Sequence, residues 1–155
     1  MQAWRVGKAK HANDLSGNGA AIAGGRWNDT DVPALYLGLT PAICCLEAFV
    51  NASGPPTVQM KLTRIELPDE PDLYLEPEDL PDGWDSKPAD RASMDFGTRW
   101  LMSRSHLGLI VPSSVLPAER NIVINPRHPA ASRLRVIEVQ DFFYDPRMFS
   151  NRTAP

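Results

Sequence analysis

The sequence predicts an α+β domain in which helices pack against a mixed or mostly antiparallel sheet. Short apolar runs typical of strands are mixed with two helical segments rather than alternating regularly with them. Fifteen prolines and ten glycines indicate short elements and many turns. With 155 residues, 43% of them hydrophobic, the chain can form one core without metals or disulfides. We therefore expect a single domain over residues 1–155.

Two short strands are predicted near the start of the chain, at residues 3–6 and 34–38. The Gly-Asn-Gly sequence at residues 17–19 lies between them and is a strong turn signal. A glycine pair at positions 24 and 25 comes directly before Arg26. Paired glycines at such a place indicate backbone that turns sharply or lies close to another group.

The clearest helix is predicted over residues 41–51. Thr40 suits its N-cap, Pro41 suits its first position, and Gly54 lies just beyond its end. Its apolar face consists of Ile43, Leu46, Phe49 and Val50. Glu47 lies four residues after Ile43 and three before Val50. Helical geometry therefore places its carboxylate beside apolar neighbours rather than on the solvent-exposed face.

The sequence after residue 51 predicts another helix and four strands. Alternation at residues 58–62 indicates a half-buried strand, and its change of phase near Ile65 indicates a bulge or a strand end. Residues 68–88 are rich in Pro, Asp and Glu, and we interpret them as an irregular segment, more solvated than functional, that could form a lid or a partner surface. A helix is predicted over residues 90–104, although Gly97 weakens it. The last strands are predicted at 107–111, 121–124 and 133–139.

Charge and cysteine content disfavour several classes of protein. The net charge is −3 and the pI about 5.6, whereas proteins that bind nucleic acids usually carry a surplus of Lys and Arg. The N-terminal sequence lacks the apolar core of a signal peptide, and no stretch approaches the roughly 20 apolar residues that span a bilayer. Cys44 and Cys45 are adjacent, which suits packing better than a disulfide. We expect a cytoplasmic protein that binds neither membranes nor nucleic acids.

Four polar residues could carry chemistry, each with a plainer structural alternative. Glu47 is either one half of a buried ion pair or a carboxylate held ready for a cationic transition state, and the pattern favours neither. Arg26 suits a phosphate or carboxylate ligand, although a surface arginine stacked on Trp27 is also common. Arg5 on a strand faces solvent by default, and Tyr36 is a core aromatic by default.

Ser113 and Ser114 follow an apolar strand, at the kind of place where functional loops gather. A nucleophilic serine needs a nearby base and an oxyanion hole, and no spacing ties a histidine to either serine. Asn121 and Asn125 bracket an apolar run and are predicted to be strand-end caps and turn makers. The three histidines are scattered and give no support for a metal site.

Seven short motifs, taken in order, resemble the RES domain family. They are WRV at residues 4–6, GNGA at 17–20, GGRWN at 24–28, LYLG at 35–38, CLEAFV at 45–50, VPSSV at 111–115 and NIVINPRHP at 121–129. The resemblance spans nearly the whole chain, and residues 68–88 match least. The order and spacing of GGRWN, the tyrosine and the helical glutamate are its most specific part.

The resemblance implies which residues form the site. The arginine, glutamate and serine that give the family its name map to Arg26, Glu47 and Ser113, with the choice between the two adjacent serines open. The family's first-strand arginine maps to Arg5, and its tyrosine maps to Tyr36. The resemblance also implies a fold similar to that of ADP-ribosyltransferases.

The family consists of bacterial toxins of type II toxin–antitoxin pairs, and this implies a function for the chain. Such toxins deplete NAD by hydrolysis or phosphorolysis, and some members ADP-ribosylate a protein. The antitoxin typically carries an Xre-type helix-turn-helix and blocks the active site. NAD is then a substrate, and we expect no bound cofactor and no metal.

The implied chemistry is cleavage of the nicotinamide–ribose bond. Nicotinamide leaves without a general acid because it is already cationic, and the transition state resembles an oxocarbenium ion. Glu47 would stabilise that positive charge, and Arg26 with Arg5 would bind the pyrophosphate. Tyr36 would stack on the nicotinamide, and Ser113 would hydrogen-bond the ligand.

Three alternatives stay open at this point. An ADP-ribosyltransferase would use the same residues with a protein as the acceptor in place of water or phosphate. A ribonuclease toxin would use Arg26, Glu47 and His128 as acid–base groups, although the net charge disfavours it. A binding module without activity would keep Glu47 only as part of a buried ion pair.

Overall fold

Within residues 1–151, seven strands form one mixed sheet in the order β4-β5-β6-β2-β1-β3-β7. The computed structural model describes residues 1–151, and the last four residues of the predicted domain lie outside them. The strands are β1 (Gln2–Lys8), β2 (Leu35–Gly38), β3 (Met60–Glu66), β4 (Tyr74–Leu75), β5 (Gly108–Pro112), β6 (Arg120–Ile124) and β7 (Arg135–Phe142). Among these described strands, β4 and β5 pair in parallel and every other neighbouring pair is antiparallel. The α+β class with a mixed, mostly antiparallel sheet is therefore confirmed.

In the part of the chain that the structure describes, three α-helices accompany the sheet: α1 (Asn18–Ala23), α2 (Pro41–Asn51) and α3 (Arg91–Ser103). The predicted bounds of α2 are confirmed, and the Thr40 hydroxyl caps it by accepting the Ile43 amide proton at 3.2 Å. Helix α3 agrees with its prediction within one residue at each end. In residues 1–151, no helix has the length and apolar character needed to cross a membrane.

The predicted irregularity in the third strand is present, whereas one strand was missed. The register of β3 against β7 shifts between Arg64 and Ile65, where the apolar alternation changes phase. Residues 68–88 are not wholly irregular, because Tyr74 and Leu75 form β4 on the edge of the sheet. A two-residue strand has no periodicity that a sequence pattern can detect, since its position depends on pairing with β5.

Strand register determines which side chains share a face near the middle of the sheet. Tyr36 lies opposite Val123, and Gly38 lies opposite Asn121. Asn121 also lies opposite Val111 on its other side. Because directly paired residues point to the same face, these five side-chain positions form one surface.

Helix α2 packs closely on Gly38 at this surface. A Cβ atom added to Gly38 would lie 2.9 Å from Cγ2 of Ile43 and 3.0 Å from the Cys44 backbone nitrogen. Ile43 and Cys44 are the buried residues of the helix. The missing side chain therefore lets the first turns of α2 approach the sheet, which brings the later Glu47 near β5 and β6.

Helix α3 reaches the segment around Trp27 through another close contact. Trp27 is buried in a cluster with Trp100, Leu101 and Val123. A Cβ atom added to Gly97 would lie only 2.1 Å from the Trp27 carbonyl oxygen. Gly97, which weakened the sequence prediction of the helix, is thus required where the helix meets the Arg26–Trp27 backbone.

Gly97→Ala should lower the free energy of unfolding by at least about 1 kcal/mol, because the overlap with the Trp27 carbonyl outweighs the gain in helix propensity. Urea titration monitored by circular dichroism measures this loss in the free energy of unfolding. Gly19→Ala is the matched control, since a Cβ atom there meets nothing within 4 Å. Equal stability of the two variants would show that the Gly97 contact is not a constraint.

Candidate active site

Glu47 is held by two neutral donors from the sheet. Its Oε1 accepts a hydrogen bond from the Ser113 hydroxyl at 2.7 Å and another from the Asn121 side-chain amide at 2.7 Å. Within residues 1–151, Glu47 forms no salt bridge and its Oε2 accepts no hydrogen bond. The ion-pair interpretation of Glu47 is therefore wrong for this part of the chain, and the carboxylate is positioned without a partner charge.

Ser113, rather than Ser114, is the serine that contacts Glu47. It is fully buried, and its oxygen also accepts the backbone N–H groups of Val115 at 3.0 Å and Leu116 at 3.1 Å. The hydroxyl proton and both lone pairs are thus engaged by the protein. This arrangement gives Ser113 the geometry of a residue that positions Glu47.

Asn121 is the site residue that the sequence interpretation missed. It was expected to cap a strand, yet it lies inside the paired part of β6, and its side-chain nitrogen donates to Glu47. The expectation fits Asn125, whose side chain donates to the Leu101 carbonyl at 2.9 Å and accepts from the Arg127 amide at 3.1 Å. Along β6, the side chains of Asn121 and Val123 point to one face and that of Ile122 points to the other. A polar residue on the same face as buried Val123 was the sequence signal that could have identified Asn121.

Arg26 extends away from its own turn to a distant loop. Its Nη1 donates to the backbone carbonyls of Trp84 and Ser86, each at 2.9 Å. Among the described residues, no hydrogen bond joins Arg26 to Glu47, and Nε and Nη2 of Arg26 have no protein acceptor. In this structure Arg26 is therefore anchored to residues 84–86, independently of the hydrogen bonds that hold Glu47.

Tyr36 organises the turn that carries Arg26. Its hydroxyl donates to Oδ1 of Asn28 at 2.6 Å and accepts the Trp27 amide proton at 2.9 Å. Burial raises the pKa of Tyr36 above its usual value, and the nearby Arg26 guanidinium partly opposes this. A Cβ atom on Gly25 would lie 2.7 Å from the hydroxyl, which explains a glycine at this place. Tyr36 and Arg26 therefore lie close together.

Arg5 is half-buried rather than freely exposed, and among the described residues it forms no hydrogen bond with Glu47. Its guanidinium donates to the carbonyls of Asp14 at 2.7 Å, His11 at 2.9 Å and Ala12 at 3.1 Å. Burial lowers the pKa of Arg5, and the neighbouring Asp14 charge opposes the change. Arg5 therefore fixes the segment that follows β1, a contact that sequence spacing did not predict.

Two concave regions have linings that do not include Glu47. An apolar groove of about 640 Å³ runs between residues 55–60 and 142–149. A smaller cleft of about 250 Å³ is lined by residues 76–80, Trp84, Ile110, Pro112 and Arg120. None of Arg5, Arg26, Tyr36, Glu47 and Ser113 lines either one. We take the hydrogen-bonded carboxylate as the candidate centre, because volume alone does not indicate chemistry.

The fold and the site define an α+β protein with a positioned, unpaired carboxylate between a helix and the middle of a mixed sheet. Residues 2–145 match the family model described as the RES domain. The chain belongs to the RES domain family. The single domain expected over residues 1–155 stays a prediction.

Two curated relatives are similar to this chain along nearly their whole length. The "Prs ADP-ribosylating toxin" of Sphingobium sp. (strain YBL2) is 42% identical over 153 residues, covering 94% of each chain. "Toxin Res" of Yersinia enterocolitica is 37% identical, covering 96% of this chain and 99% of the relative.

A solved structure shares the fold. It is the crystal structure of the M. tuberculosis MbcT-MbcA toxin-antitoxin complex, with a TM-score of 0.71 and 23% sequence identity. The match covers 92% of this chain and 84% of the other.

Ser113→Ala should lower the free energy of unfolding by about 1–3 kcal/mol, because the Val115 and Leu116 amides and the Glu47 carboxylate lose a buried partner. Ser114→Ala should change it by less than about 0.5 kcal/mol, since no hydrogen bond assigned to its side chain is lost. Denaturant unfolding of both variants measures the difference. A larger loss for Ser114→Ala would contradict the assignment of the serine.

Proposed function

We propose that this chain is a toxin of a toxin–antitoxin pair that consumes NAD by cleaving its nicotinamide–ribose bond. The observation that carries the proposal is the Glu47 carboxylate, which Ser113 and Asn121 hold by Oε1 while Oε2 has no partner in residues 1–151. A fixed negative charge in a partly buried place suits a transition state that develops positive charge. The family and the names of the two relatives support the same function.

The reaction needs little from the protein beyond electrostatics. When the C–N bond breaks, its electron pair goes to the nicotinamide ring and neutralises it, so that the ring needs no general acid. The ribose carbon then resembles an oxocarbenium ion, and the Glu47 carboxylate would stabilise it. Water or phosphate adds to that carbon, and with water one proton is released. Glu47 would also orient this acceptor.

The remaining residues take revised roles in this proposal. Arg26 would offer Nε and Nη2 to the pyrophosphate, because Nη1 is engaged by loop carbonyls. Tyr36 would contact the nicotinamide only through its ring, since its hydroxyl is engaged by the turn. Ser113 would act on Glu47 and not on the ligand. Arg5, whose guanidinium holds residues 11–14, would shape the pocket and bind pyrophosphate only through a change of partner.

The proposal includes an antitoxin partner. The structural neighbour is a toxin-antitoxin complex, and two relatives carry the name of a toxin. We propose an antitoxin with an Xre-type helix-turn-helix that blocks the active site. We also propose a cytoplasmic location, which the free cysteines Cys44 and Cys45 suit, and NAD as a substrate with no bound cofactor.

A second candidate function is ADP-ribosylation of a protein. The relative with 42% identity is named an ADP-ribosylating toxin, and that name favours this alternative. The bond that breaks is the same, and only the acceptor differs. The role proposed for Glu47 is therefore common to both functions.

Glu47→Gln should reduce NAD cleavage by about 10²- to 10⁴-fold. The amide oxygen of Gln keeps an acceptor for Ser113 and Asn121, while the negative charge is lost. The measurement is the NAD concentration over time with purified, antitoxin-free protein, with and without phosphate. Dependence on phosphate would identify a phosphorylase.

The matched control for this experiment is thermal unfolding of wild type and Glu47→Gln. Similar melting temperatures with a large loss of activity would assign a catalytic role to the charge. A folded wild type that leaves NAD intact would contradict NAD consumption. Digestion of RNA by the same sample would favour the ribonuclease alternative.

Labelled NAD added to cell lysate with the wild-type protein distinguishes the two acceptor classes. We expect free ADP-ribose, or its phosphorylated form, without a labelled protein band, because the proposed acceptor is a small molecule. A labelled band that depends on Glu47 would show the transferase activity instead. Lysate treated with Glu47→Gln serves as the background control.

A further inference from the structure

Residues 84–86 are hydrogen-bonded directly to Arg26, the arginine of the proposed site. The two carbonyls that accept from Arg26 Nη1 are those of Trp84 and Ser86, 58 and 60 residues away in sequence. Both protons of one guanidinium nitrogen are therefore directed at the loop. A planar guanidinium whose Nη1 is fixed in this way has its other donors fixed in orientation as well.

A local turn presents these carbonyls together. The Trp84 amide donates to the Pro81 carbonyl at 3.1 Å, and the Ser86 amide donates to the Gly83 carbonyl at 3.1 Å. Gly83 has a φ of 82°, in the left-handed region that favours glycine. The turn thus forms a small carbonyl cradle, defined here as the Trp84 and Ser86 carbonyl groups.

The Trp84 ring holds the cradle against the Arg26 turn. It stacks on the Trp27 ring with centroids 6.1 Å apart and an interplanar angle of 19°. Trp27 is itself firmly placed, because it is only 3% exposed, its amide donates to Tyr36, and Phe96 packs edge-on against it. Trp84 therefore connects the loop to a rigid part of the core.

We propose that Trp84 is a positioning residue for Arg26, and that through the carbonyl cradle it prepares Arg26 to bind the diphosphate group of a nucleotide. The proposal rests on the proposed function and deepens it. With Nη1 engaged, Arg26 keeps Nε and Nη2, which form a pair of donors that suits two phosphate oxygens. Because Arg26 is held before the ligand arrives, binding does not require its side chain to be ordered.

The test is a double-mutant cycle on ADP-ribose binding, measured by calorimetry. Trp84→Ala should raise the Kd for ADP-ribose by about tenfold, because Arg26 loses its fixed orientation. Arg26→Ala should raise it more, and Trp84→Ala should add little in that background. Trp84→Phe should restore binding to within about threefold, since a ring can still stack on Trp27. In turnover assays, Trp84→Ala should raise KM for NAD much more than it changes kcat.

Phe143→Ala is the matched control, because Phe143 is an aromatic residue that is 79% exposed and lies outside the Arg26 contacts. It should bind ADP-ribose as the wild type does. Additive effects of the Trp84 and Arg26 substitutions, or unchanged binding by Trp84→Ala, would overturn the proposal. If Trp84→Ala does not fold, Trp84→Leu removes the ring, keeps apolar volume and takes its place in the cycle.

The test of Trp84 and the test of the proposed function can fail independently of each other. ADP-ribose binding does not need catalysis, so a wild type that binds it but leaves NAD intact would refute NAD consumption while the cycle still tests Trp84. A wild type that cleaves NAD, together with a cycle in which the two residues are independent, would refute the role of Trp84 alone.

Discussion

The hydrogen bonds that Ser113 and Asn121 donate to one oxygen of Glu47 are the interaction on which the site depends. They join three elements that are distant in sequence, namely helix α2, the end of β5 and the start of β6. Placing a carboxylate among apolar neighbours is costly unless strong donors compensate. Both donors are fixed by sheet pairing, because Asn121 is paired on both sides and the Ser113 amide donates to the Glu119 carbonyl. The mixed sheet therefore determines where the carboxylate lies.

A second group of contacts fixes the turn before β2. Gly97 is needed where helix α3 packs against this turn. Asn28 is fully buried, and its side-chain nitrogen donates to the carbonyls of Ala20, Asp29 and Val32. Its oxygen accepts from Tyr36, so the tyrosine completes the amide's hydrogen bonds. With the Trp27 carbonyl packed against Gly97, this network fixes residues 27 and 28, directly after Arg26. The GGRWN motif is thus a packing requirement as well as a source of the arginine.

Local signals predicted local structure, and contacts across the chain decided what could not be predicted. The Thr40-Pro41 cap and the apolar spacing were sufficient for α2, because capping and periodicity act within a few residues. The sequence predicted the inward position of Glu47 but not its partners, since Ser113 and Asn121 are 66 and 74 residues away. The same reason applies to Arg26 and its partner Trp84. The composition of residues 68–88 indicated a solvated segment and gave no sign of this contact.

Neutral partners hold both Arg26 and Glu47, and this leaves both charges available. The acceptors of Arg26 are backbone carbonyls, and the donors to Glu47 are a hydroxyl and an amide. Among residues 1–151 neither side chain forms a salt bridge, so neither charge is cancelled inside the protein. An ion pair between them would have positioned both groups equally well, but it would have weakened their attraction for a ligand. Separate neutral anchors leave one cation and one anion uncancelled, and in the proposed function these would face the pyrophosphate and the positively charged leaving group of the dinucleotide.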